Sequence, residues 1–153
     1  MRELKFRIWK NKSGEWLKNI TSTHGEKRYC VCDGEVFLID YNADFGEKYS
    51  YRIEDCTIQQ YTGLDDKDEN PVYEGDIVEF KYQTGDFTEG NGFEKNIDGK
   101  TFRGVVDLWA DGFPYPSIAC ETELGKMRFG IVEVTNGKII GNILENEGLL
   151  CEN

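Results

Sequence analysis

Between Gln59 and Phe80 the chain reads QQYTGLDDKDENPVYEGDIVEF, a stretch that holds Asp65, Asp66, Asp68, Glu69, Glu74, Asp76 and Glu79. Carboxylates at this density can ligate a hard cation or share acid and base duties. Asp66, Asp68 and Asn70 match the D-x-D-x-N opening of a calcium loop. The match then fails, because Pro71 stands where the sixth position needs Gly, and Ile77 where the twelfth needs a bidentate Glu. The simpler reading is a turn. Asn70-Pro71 favours extended backbone, Gly75 supplies a residue that tolerates positive φ, and the Asp76 carboxylate can accept backbone N–H groups. Glu74 and Asp76 as an acid/base pair is the sharper alternative, and no partner for it is identifiable in the sequence.

The other reactive groups are sparse. Cys30, Cys32, Cys56, Cys120 and Cys151 are scattered, and His24 is the one histidine. A single C-x-C lacks the second ligand pair of a zinc site, so the cysteines read as free thiols in a reducing compartment. No metal, no cofactor and no catalytic residue is expected. A carboxylate-only hydrolase is the one enzymatic class left open. Lys5, Arg7 and Trp9 are the candidate binding residues. On a strand they share a face, and cations beside an aromatic suit contact with a nucleic-acid backbone or single strand. The alternative is an edge strand guarded by charge.

Strands must position all of these groups. Residues 4–10 alternate, with Leu4, Phe6 and Ile8 against Lys5, Arg7 and Trp9. A turn at 11–14 leads to a return strand at 15–17. Further strands are expected over 28–32, 36–41, 49–53, 57–61, 76–82, 102–109, 117–121, 128–134 and 138–144. Helix is expected in one or two short turns, the best candidate being 146–150, with Asn146 as its cap and Leu149 and Leu150 folding back on the core. Residues 83–100 break the rhythm with four glycines and read as a long loop or insertion, in which Phe87 and Phe93 would be costly to leave in water. The fold class is mainly β, an open or partly closed barrel with little helix.

At 153 residues the chain is expected to be one domain with its own core. It has no apolar run of membrane-span length and no signal-peptide pattern at its start, so a cytoplasmic location is expected. Its formal net charge is −11, yet residues 1–28 hold eight Lys/Arg against three Glu. A basic arm on an acidic body suits self-association or a basic partner, and works against wholesale phosphate binding.

Three blocks in order resemble the YopX family of phage- and prophage-encoded proteins. MRELKFRIW at the start is one. Gln60, Tyr61, Thr62, Gly63 and Leu64 followed by Tyr73, Glu74, Gly75 and Asp76 form the second. The third is IIGNILEN, which contains Gly141 and Asn142. The sequence departs from the family pattern at Lys10, over 68–71, and at Glu147-Gly148. The resemblance implies a β-rich fold with an SH3-like barrel element around the central block and a site of action in the host cytoplasm. It carries no established activity, and the signature residues are assigned to folding.

Three functions follow as expectations. The first is a non-enzymatic accessory protein that is homo-oligomeric or binds a host or phage protein. The second is a nucleic-acid binder using Lys5, Arg7 and Trp9. The third is an acidic mimic of nucleic acid that inhibits a host protein.

Overall fold

The computed structural model describes residues 5–23, 25–42, 44–83, 97–108, 115–122 and 125–150. Strands dominate it, as the alternating patterns predict: β1 (Phe6–Lys10), β2 (Glu15–Trp16), β3 (Ile20–Ser22), β4 (Gly25–Cys32), β5 (Glu35–Asn42), β6 (Glu47–Ile53), β7 (Cys56–Asp65), β8 (Pro71–Tyr73), β9 (Asp76–Lys81), β10 (Thr101–Asp107), β11 (Ser117–Thr122), β12 (Gly125–Phe129) and β13 (Lys138–Asn142). Two short helices, α1 (Ile131–Asn136) and α2 (Ile143–Asn146), and a 3₁₀ turn over Glu147–Leu150 complete the described elements. Residues 84–96 of the expected loop, Phe87 and Phe93 included, lie outside the described residues.

The chain divides into two compact units, Leu4–Gln60 and Tyr61–Asn153, the latter grouped with residues 1–3. In the N-terminal unit β1 pairs antiparallel with β2 and with the first half of β7, from Phe6 opposite Gln60 to Lys10 opposite Cys56. A separate four-stranded sheet runs β3-β4-β5-β6. In the C-terminal unit the second half of β7 pairs with β8, and a five-stranded half-barrel runs β12-β11-β10-β9-β13.

Burial differs sharply between them. Val72, Val78, Phe80, Ile97, Val106, Ile118, Cys120, Phe129 and Val134 form one core cluster in the C-terminal unit. Phe129 anchors it, its ring edge-on to Phe80 at 4.8 Å and close to Phe102 and Tyr82. Gly104 in β10 passes so near β11 that a Cβ would meet the Ala119 carbonyl oxygen at 2.4 Å. In the N-terminal unit the buried hydrophobics among the described residues are Ile8, Trp9 and Val36.

Three sequence expectations change. Residues 128–134 do not continue as strand: β12 ends at Phe129 and α1 begins at Ile131. Ile, Val and Thr favour strands locally, but Glu133 Oε2 accepts the Gly130 N–H at 3.1 Å and Val134 becomes fully buried, so capping and packing override propensity. The last strand stops at Asn142, not 144, and Asn142 rather than Asn146 caps the following helix, its Oδ1 accepting the Leu144 N–H at 3.0 Å. Residues 71–73, read as part of a turn, form the short strand β8.

Candidate functional site

The acidic stretch is built into the C-terminal unit as a fold-organising turn. Asp66 is buried, and its Oδ1 accepts the backbone N–H groups of Asp68 and Asn70, both at 2.9 Å. Its Oδ2 accepts the N–H of Ile139 in β13 at 3.0 Å, tying together residues 73 positions apart. Burial opposes ionisation, but these donors to the carboxylate win and hold its pKa below the ordinary carboxylate value. Asp66 is therefore an internal anchor, and among the described residues no group of three metal-capable side chains occurs.

The two later signature blocks meet in the same unit. Gly75 turns at φ +79°, and Asp76 Oδ2 accepts the Tyr73 N–H at 2.8 Å, the turn chemistry that the sequence predicts. Asn142 Nδ2 donates to the Gly75 carbonyl at 2.9 Å and to Asp76 Oδ1 at 3.2 Å, while Ile143 N–H also reaches the Gly75 carbonyl. Thr62 donates to the Val72 carbonyl at 2.8 Å, Gly63 adopts φ +84°, and Leu64 packs on the core. Tyr61 lies against Tyr73 with ring centroids 5.6 Å apart. Gly141 has no room for a side chain: a Cβ would sit 2.8 Å from both Asn146 Oδ1 and Leu149 Cδ1. Gln60 ends the β1 pairing and Glu74 is half-buried beside the turn. Buried polar groups facing one another's donors and acceptors form a structural knot.

A groove of about 490 Å³ opens between β9 and α1, lined by Lys67, Glu79, Lys81, Gln83, Thr101 and Glu133 among others. Its two carboxylates already have partners. Glu79 takes Arg103 at 2.7 Å, and Glu133 caps α1.

Of the candidate binding residues, Lys5 is exposed, but Arg7 and Trp9 are drawn inward. Trp9 is 9% exposed, with its ring edge-on to Trp16 at 5.0 Å across the β1–β2 hairpin. The Arg7 guanidinium lies over the Trp16 ring at 4.6 Å and donates to Gln59 Oε1 at 2.9 Å. Both faces of β1 are covered at Ile8 and Trp9, and the indole of Trp9, one of the expected contact residues, packs on an aromatic partner.

Among the described residues, a partly open surface with exposed tyrosines lies on the β3–β6 sheet. Cross-strand partners in an antiparallel ladder share a face. The register therefore places Tyr29, Leu38 and Tyr51 in one row, Lys27, Asp40 and Tyr49 in the next, and Val31, Val36 and Ile53 in a third. Tyr49 and Tyr51 stack at 6.2 Å yet remain 46% and 49% exposed, and Phe45 at the hairpin tip is 76% exposed. The Tyr49 hydroxyl donates to Glu47, which holds the phenol pKa above its usual value. Lys27 and Asp40 pair at 3.4 Å. The opposite face interleaves Phe37, Ile39 and Tyr41 with Glu26, Arg28, Glu35, Lys48 and Arg52. Sequence reasoning passed over this surface, although the alternation Tyr49-Ser50-Tyr51-Arg52-Ile53 signals it.

A family model described as "YopX protein" matches residues 5–151. No curated protein matches the chain. Among solved structures, the crystal structure of protein EF1440 from Enterococcus faecalis is similar, at 19% identity and a TM-score of 0.49, covering 98% of this chain and 99% of that one.

Proposed function

The chain belongs to the YopX family, and from that premise we propose a phage-associated accessory protein that works by binding protein through the Tyr29–Leu38–Tyr49–Tyr51 face of its β3–β6 sheet. One observation carries the reading. The four-stranded sheet leaves part of one face open: two stacked tyrosines on it are about half exposed, while Val36 at its other end is buried. Tyrosine is also the residue type that interfaces favour, offering large area at low entropic cost. The inward placement of Arg7 and Trp9 gives the nucleic-acid reading no comparable surface.

A photo-crosslinking residue at position 49 or 51, compared with one at position 50 on the opposite face, tests the reading in cells that express the protein. Protein adducts from 49 and 51, in clear excess over 50, are expected. Equal yields from both faces, or no adduct from 49 and 51, would overturn it.

A further inference from the structure

The face of the β3–β6 sheet turned away from Tyr49 and Tyr51 holds a pair of thiols. Cys30 and Cys32 stand two positions apart in β4, so they project from the same side of the sheet. The β4–β5 ladder runs without a shift from Gly25 opposite Asn42 to Cys32 opposite Glu35, so no bulge turns one thiol away from the other. Asp33 and Gly34, at φ +50° and +77°, close the hairpin directly after Cys32 with a two-residue turn of the kind that fixes register. The pair is also accessible. Among the described residues β3 pairs with β4 from Gly25 to Lys27 and no strand flanks the cysteines on that side; Cys32 is exposed and Cys30 half-buried.

The spacing decides what the pair can hold. Two steps along a strand span about 6.5–7 Å, and the Cβ atoms of a same-face pair are about as far apart. A disulfide needs Cβ atoms about 3.5–4.5 Å apart, so these thiols cannot join directly without disrupting the ladder. A single metal ion bridges the gap instead. A thiolate–metal bond is about 2.3 Å long, so an ion held in line by two thiolates sets the sulfurs about 4.6 Å apart, within reach of two side chains leaning together.

Coordination number then selects the ion. Among the described residues no group of three His, Cys, Asp or Glu side chains occurs, and Glu35, opposite Cys32, is engaged by Arg52 at 3.0 Å. Zinc, which takes four ligands, would be left incomplete here. Copper(I) is soft, favours thiolate and is satisfied by two. We infer that Cys30 and Cys32 form a two-coordinate site for copper(I). Binding breaks two S–H bonds and forms two S–Cu bonds: one Cu⁺ and two thiols give a bis-thiolate complex of charge −1 and two released protons, and copper stays in the same oxidation state.

Anaerobic titration with copper(I) against a chromophoric chelator tests this on four full-length proteins: native, Cys30→Ser, Cys32→Ser and Cys56→Ser. Native protein should win one copper(I) per chain from the chelator. Each β4 substitution removes half of the ligand set and should weaken binding by at least about 100-fold, the upper range for losing even an outer-shell partner. Cys56→Ser, in β7, should leave binding unchanged. Native protein that yields its copper to the chelator, or a loss on Cys56→Ser equal to that of the β4 variants, overturns the inference.

Two readouts on native protein need no variant. X-ray absorption of the copper-loaded chain should show two sulfur neighbours and no nitrogen or oxygen neighbour, and loading should leave the sedimentation coefficient unchanged, since both ligands come from one chain. A third ligand, or chains bridged in pairs by copper, would overturn the two-coordinate site. Zinc(II) offered in place of copper(I) should be lost on gel filtration, and its retention at one per chain would overturn the selection by coordination number.

Discussion

In the C-terminal unit Val72, Ile77, Val78, Val106, Ile118 and Val134 are completely buried, whereas the N-terminal unit closes fully over little more than Ile8, Trp9 and Val36. The two stretches do not differ in their supply of apolar residues. Leu4–Gln60 is rich in Tyr, Phe, Ile and Val, but its main sheet spreads them over two faces. The half-barrel turns most of its apolar residues to one side, around Phe129, with Ile77 and Val105 on the other. Leu4–Gln60 contains nine Lys/Arg and nine Asp/Glu, so it is formally neutral, while the rest of the chain contains nine and twenty and holds the entire −11. Stability therefore concentrates where the charge is −11, and open apolar surface concentrates where the charge is zero. Close packing and open apolar surface fall in different parts of one chain.

Thiol chemistry should show the contrast most strongly. Cys120 is buried in the C-terminal core, which pushes its thiol up to about 12, while Cys32 in the N-terminal sheet is exposed. Peptide-resolved alkylation near pH 8 should label Cys32 at least about 1,000-fold faster than Cys120, because both thiolate fraction and access fall together. Comparable rates would mean that the core opens as readily as the sheet.

Free energies come next. Ile118→Ala should cost about 2–5 kcal/mol in denaturant unfolding, the range for deleting a buried aliphatic group, and Leu38→Ala only about 1 kcal/mol. Similar costs would erase the distinction. Asn142→Ala should cost about 2–3 kcal/mol, since it removes a helix cap and leaves the Gly75 carbonyl and Asp76 short of a donor. Asn11→Ala, which removes an exposed bond to Asp55 within the N-terminal unit, should cost under about 0.5 kcal/mol.

The acid limb sharpens the comparison further. Asp66 has a lowered pKa in the folded state, so its contribution is complete above the unfolded carboxylate value near 3.8 and is lost as pH falls through the folded one. Asp66→Asn should lower stability at neutral pH and flatten the decline below about pH 4, as read from thermal midpoints against pH. The smallest effect belongs to the paired charges of the open face. Lys27→Met should change stability by under about 0.5 kcal/mol, because the Lys27–Asp40 bridge is half exposed and screened.

Much of this was legible in the sequence because it depends on neighbours along the chain. Period-two alternation located most strands, Gly75 and Asp76 announced their turn, and Pro71 with Ile77 excluded the calcium loop. Composition fixed the total charge and its unevenness. Tertiary structure decided what depends on residues far apart. Asp66 finds Ile139, and Asn142 finds Gly75 and Asp76, across more than 65 positions, and no spacing rule links such partners. Ile131–Asn136 became helix against its own β-branched preference, because Gly130, Glu133 and the burial of Val134 outweigh a few tenths of a kcal/mol per residue in propensity. Trp9 and the tyrosines of β6 show the same division. Alternation gives each residue a face, but only the folded chain decides which faces are covered, since covering requires another layer that local sequence cannot specify.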